Sequence, residues 1–175
     1  MNLQESITMT KKWTVRRYAD QGAFEAGIPT PVVDAETGET LPAISEVEGN
    51  LLLNEGIGEL LDLACGLGTP TSFSNANAYI GVGDSTTAES ASQTDLQAST
   101  NKTYKAMAAS YPSRSAQTVT WRAVFGSGDA NYAWQEFSVA NASSGTGKNL
   151  NRKVSNQGTK ASGQTWTLDL AITLS

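Results

Sequence analysis

The sequence predicts a mainly β protein: an antiparallel β-sandwich or jelly-roll-like domain with one helix and an extended N-terminal arm. Three observations predict it. The final run, "QTWTLDLAITLS", puts Trp166, Leu168, Leu170, Ile172 and Leu174 on one face and Thr165, Thr167, Asp169, Ala171 and Thr173 on the other, the period of two that marks a half-buried strand. Short runs of the same kind recur between residues 69 and 175, separated by Ser-, Thr-, Gly- and Asn-rich connections such as "NASSGTGKN", the spacing of sandwich strands and their turns. Charged residues make up only 17% of the chain, against roughly a quarter in an average domain, which suits strands and tight turns better than long solvated helices.

The elements follow in order. Residues 1–44 read as the arm: "SITMTKKWTVRRY" alternates as a strand with Ile7, Met9, Trp13 and Val15 on one side, and "IPTPVVDAETGETLPA" reads as a Pro-flanked hairpin turning at Thr37-Gly38. Such an arm is held either by a partner or neighbouring subunit or by its own domain. Residues 45–68 read as the helix and its connection. Ser45 with Glu48 forms a capping box; Leu53, Ile57, Leu60, Leu61 and Ala64 follow at helical spacing, and Gly66 stops the helix. Leu51, Leu52 and Leu63 lie outside that stripe, so the helix is expected to be covered on more than one side, by its own domain or by another subunit. Residues 69–175 form the β-sandwich domain, with strands expected at 78–82, 103–108 and 150–154. "QTVTWRAVF" and "NYAWQEFSVA" are expected to pair across the Gly126-Ser127-Gly128-Asp129 turn.

A length of 175 residues suits one domain on the usual prior of roughly 100–200 residues. Cys65 stands alone, so no intrachain disulfide staples the fold. "MNLQESITMTKKW" lacks the basic start and apolar stretch of a signal peptide, and no run approaches the ~20 apolar residues of a membrane span; a soluble protein with no membrane partner is expected. Charge is divided unevenly: residues 1–62 carry a net −7 and residues 63–175 a net +2, with eight acids and no base from Asp34 to Asp62. That composition repels nucleic acid and fits either a basic protein surface or simple solubility. Lys11, Lys12, Arg16 and Arg17 interleave with Trp13 and Tyr18, but no nucleic-acid motif accompanies them.

Histidine is absent, which removes His-activated nucleophiles, His-based zinc sites and the commonest general base. The carboxylates of the β-domain are Asp84, Glu89, Asp95, Asp129, Glu136 and Asp169. Glu136, between Trp134 and Phe137, has the aromatic setting of a sugar-cleaving carboxylate; a solvent-facing position on a sandwich strand, or pairing with Arg122 across the hairpin, is its structural alternative. "DAETGE" lacks the remaining EF-hand pattern, so neither a metal nor another cofactor is expected. Tyr111, Trp121, Tyr132, Trp134 and Trp166 form either a sugar-stacking platform or the core. In "AYIGVGDSTT", Gly81 and Gly83 lack the third glycine of a dinucleotide loop, Thr86 standing in its place, and the lysine of a Walker loop. A strand running into a turn is the reading left.

The segments "NANAYIGVGDSTTAESASQTDLQAS", "NKTYKAM", "WRAVFGSGDANYAWQEFSVAN", "LNRKV" and "GTKASGQTWTLDLAITLS", taken in order, resemble a family of tailed-bacteriophage virion structural proteins. The resemblance spans roughly residues 50–175 and brings no catalytic residues with it. It implies a non-enzymatic component of a virus particle. A capsid decoration, or cement, protein is the first expectation, with the major capsid protein and neighbouring copies of itself as partners and a homo-oligomeric state. A tail, baseplate or fibre protein, with exposed aromatics to hold host saccharide, is the alternative. The expected assembly contacts are Trp13, Val15, Arg16, Arg17 and Tyr18 in the arm and Leu51, Leu52 and Leu53 in the helix.

Overall fold

The computed structural model describes residues 8–175; Ile7 lies outside them. Two five-stranded antiparallel sheets face each other. The first is ordered β4 (Ile44–Glu48), β1 (Met9–Tyr18), β12 (Thr165–Leu174), β9 (Thr118–Phe125) and β8 (Ser113–Ser115); the second β5 (Leu51–Leu52), β11 (Asn151–Val154), β10 (Glu136–Ala140), β6 (Tyr79–Gly83) and β7 (Lys102–Ala106). A small hairpin joins β2 (Val32–Val33) to β3 (Thr40–Leu41), turning at Gly38 with φ 73°, and two helices complete the described chain: α1 (Gln21–Glu25) and α2 (Asn54–Cys65).

The alternation in β12 decides which residues meet between the sheets. Trp166, Leu168, Leu170 and Ile172 are buried there with Trp13 and Val15 of β1 and Trp121, Ala123 and Phe125 of β9. Ile80, Val82, Phe137 and Val139 close the core from the other sheet. Trp134 joins the layers, its ring edge-on to Phe125 at 4.8 Å and to Trp166 at 4.9 Å, an arrangement favoured by the ring quadrupoles. The five aromatics weighed as a sugar platform are therefore mostly interior: Trp121, Trp134 and Trp166 are buried, Tyr132 is half-buried and donates to Val82 O, and Tyr111 lies over the Arg122 guanidinium.

Three expectations change. Residues 9–18 do not extend from the domain as an arm: β1 is an inner strand, paired with β12 from Met9↔Leu174 to Tyr18↔Thr165 and with β4 on its other side. Its apolar face, Trp13 and Val15, finds burial between the two sheets, the Trp13 ring 5.7 Å from Phe137 of β10. The helix does not start at Ser45. "ISEVE" alternates and forms edge strand β4, Ser45 Oγ accepts from Arg17 Nη1, and Gly49 at φ 73° turns the chain before β5. The runs expected to pair across residues 126–129 lie in different sheets; β9 pairs with β12 from Trp166↔Phe125 to Thr173↔Thr118, and the connection crosses to β10. The expected strands at 78–82, 103–108 and 150–154 are β6, β7 and β11 within two residues.

The glycines of "AYIGVGDSTT" serve packing. A Cβ at Gly81 would lie 2.6 Å from the Tyr104 ring, and one at Gly83 2.5 Å from the Glu136 carboxylate.

Candidate assembly surface

The carboxylates come first, because they carried the enzymatic alternative. Glu136 is fully buried with Arg152, whose Nε donates to it at 2.7 Å; it also accepts from the backbone N–H groups of Gln97 and Ala98. Arg152 donates in turn to the carbonyls of Thr87 and Ala88 and to Gln93. The pair pins the connection between β6 and β7 onto the sheet, and Arg122 is not its partner. Arg122 instead meets Asp169, which Arg16 also binds at 2.7 Å. Asp129 accepts from Lys105 and Gly126 N–H, Asp95 from Lys102 and the Tyr104 hydroxyl, Asp84 from Asn101, and Glu89 from Val154 N–H. All six carboxylates thus have structural partners. Among the described residues, no group of three or more His, Cys, Asp or Glu side chains is placed to hold a metal ion.

The expected contacts of the first strand are spent inside the domain. Trp13 and Val15 are fully buried, and the Tyr18 ring meets Phe24 of α1 edge-on at 5.3 Å. Arg17 donates to the carbonyls of Pro42 and Gln157 and stacks over Trp166 at 4.7 Å. Burial lowers its pKa to about 10 although Asp34 opposes the shift. Arg16 is occupied by Asp169. Leu51 and Leu52 are half-buried in β5 and Leu53 is fully buried.

Beyond Leu53 the chain builds a different surface. Leu53 N–H donates to Leu150 O, and Gly56 presses against the backbone of Asn149 and Leu150 so closely that a Cβ there would stand 2.5 Å from Leu150. Only glycine lets α2 approach. Two carboxylates fasten its flank: Glu55 accepts from Asn149 N–H at 2.6 Å, and Glu59 accepts from Thr71 N–H at 2.7 Å and from the Asn141 amide at 2.9 Å. Gly66, with φ 65°, donates to Asp62 O and ends the helix.

The apolar side chains of α2 do not follow its backbone inward. Nine large hydrophobic residues are exposed among the described residues, and six of them, Ile57, Leu60, Leu61, Leu63, Leu67 and Leu174, lie on or beside α2. Leu61 is 59% and Leu67 57% exposed. From Leu61 to Thr69 every residue except Asp62 is exposed. Leu60 and Leu174 also wall a groove of about 170 Å³ with Met9, Leu52, Val119 and Trp121. The helical spacing of Ile57, Leu60, Leu61 and Ala64 was legible in the sequence; that this stripe faces water was not, because spacing shows that residues share a face and not what the face meets.

No family model, curated protein or solved structure matches the chain.

Proposed function

We propose that the chain is a non-enzymatic structural protein of a tailed-bacteriophage particle, acting as a capsid decoration protein. A rigid sandwich binds the outer shell and neighbouring copies, and its contacts across subunit boundaries resist the pressure of packaged DNA. The observation that carries this reading is the bare apolar face of α2 and the adjoining groove. A monomer scatters single hydrophobic residues over its surface, whereas a contiguous patch of this kind marks an interaction site. The resemblance of residues 50–175 to virion structural proteins supports the setting, and the structural use of the six carboxylates of residues 69–175 supports a mechanical rather than a catalytic role.

Quantitative mass analysis of purified particles tests the reading. The chain is expected in a copy number proportional to that of the major capsid protein. A few copies per particle would move it to the tail, and absence from the particle would overturn the proposal.

A further inference from the structure

We infer that the free edge of β4 is a docking site for an extended segment of another protein, added to the first sheet as a further antiparallel strand and carrying lysine or arginine at alternate positions. The inference goes beyond the virion reading and does not use the face of α2.

Alternation along the β1–β4 ladder decides which backbone groups are open. Gly49 N–H donates to Lys11 O and Arg17 N–H to Ala43 O. In the register from Lys12↔Glu48 to Arg16↔Ile44, the β4 residues bonded to β1 are therefore Ser45 and Val47, and the N–H and C=O groups of Ile44, Glu46 and Glu48 point away from it. None of these groups has a hydrogen-bond partner among the described residues, and all three residues are exposed. The other sheet ends offer less: β8 is three residues long and β5 two, and the chain leaving β7 bridges to β9 at Met107↔Ala123. A row of unpaired donors and acceptors is a template for one more strand, and every pair in this sheet is antiparallel.

A groove of about 260 Å³ lies beside this edge, with Ser45 and Val47 on one side and Gln157 and Gly158 on the other. Successive side chains of an added strand would alternate between this groove and the outer face next to Glu46 and Glu48. Charge assigns the two sets. Arg17 lines the groove, its guanidinium held by Pro42 O, Ser45 Oγ and Gln157 O, so the inward positions call for uncharged residues. On the outer face Glu46 meets Lys12 at 2.9 Å, while Glu48 has no ion-pair partner among the described residues, nor has Glu39 on the groove wall. From Asp34 to Glu48 the chain carries five acids and no base. Cations at the outward positions complement these carboxylates. The same charges reject a second copy: the fullest antiparallel pairing of β4 with itself, centred on Glu46, sets Glu46 against Glu46.

The probe is the acetylated and amidated peptide Thr-Lys-Thr-Lys-Thr-Lys-Thr. It is expected to bind the purified full chain with a dissociation constant below about 1 mM and to slow hydrogen exchange at the Ile44, Glu46 and Glu48 amides by at least about tenfold. In antiparallel addition a lysine opposite Glu46 turns its own N–H to the edge, so N-methylation of the lysine amides keeps the charge, removes the ladder and should weaken binding at least about tenfold. Glu46→Pro should do the same from the protein side: it removes an outward N–H at a strand edge, where proline is tolerated, and leaves Ser45 and Val47 paired with β1. Replacing the lysines by glutamates should abolish binding. Absence of binding overturns the inference, as does equal binding of the N-methylated or the glutamate peptide, or binding that leaves exchange at the three amides unchanged. Slowed exchange at these amides on concentrating the chain alone would assign the edge to a second copy and also overturn it. The peptide variants are measured on the wild-type chain, so the test stands even if Glu46→Pro does not fold. No particle enters the measurement, and this inference and the virion reading fail separately.

Discussion

Both carboxylate oxygens of Glu136 are engaged, one by Ala98 N–H and the other by Gln97 N–H and Arg152. A general acid or nucleophile needs a reacting bond within reach, and this side chain is enclosed. Breaking such a buried pair from one side costs about 3–5 kcal/mol because it strands a charge, which fits a clamp on a long connection. Lys160 is the contrasting case. It is 1% exposed and donates to Gly126 O and Asn131 Oδ1. Burial lowers its pKa to about 8, against an opposing pull from Asp129. A folded-state pKa below the unfolded value means that the unfolded chain binds more protons between the two, so stability rises with pH in that window. Below about 8 both states are protonated and Lys160 contributes no slope. Above about 10 the window closes, because buried Tyr132, with its pKa raised to about 12, stays protonated in the fold while the unfolded tyrosine ionises. Denaturant midpoints should therefore increase from pH 8 to 10, and the increase should disappear in Lys160→Met. A flat or falling midpoint in the wild type would contradict the burial of this amine.

The two glycines of α2 separate its packed side from its open side. A Cβ at Gly56 would strike Leu150 backbone at 2.5 Å, while one at Gly58 would meet nothing within 4 Å. Gly56→Ala should destabilise by about 1–3 kcal/mol through overpacking; Gly58→Ala should stabilise by roughly 0.5–1 kcal/mol through helix propensity. Urea titration of the two variants checks the pair, and equal effects would mean that α2 does not lie on Leu150 as described. Strand β12 was legible because ten residues alternate without a break. The start of α2 was not. "SEVE" satisfies both a capping box and a strand alternation, and pairing of β4 with β1, from Lys12↔Glu48 to Arg16↔Ile44, decides between them.

Pairing partners were the least legible feature. The sequence contains the alternation of β1, β9 and β12, yet their order depends on contacts between the two ends of the chain: Thr8 and Ser175 exchange backbone hydrogen bonds, and β12 lies between β1 and β9. No local signal encodes such closure. The hairpin expected between β9 and β10 would have joined neighbours, whereas the observed connection changes sheets. The exposed face of α2 was half legible for the same reason: the helical stripe is local, and its exposure depends on where the sandwich ends. Cys65, exposed at the end of α2 beside Ala64 and Leu67, reports on this surface directly. The rate at which a maleimide labels its thiol should fall when the wild-type protein is bound to purified shells and stay high when Leu61→Glu is mixed with them. An unchanged rate in shell-bound wild type would contradict the proposal that this face docks on the particle.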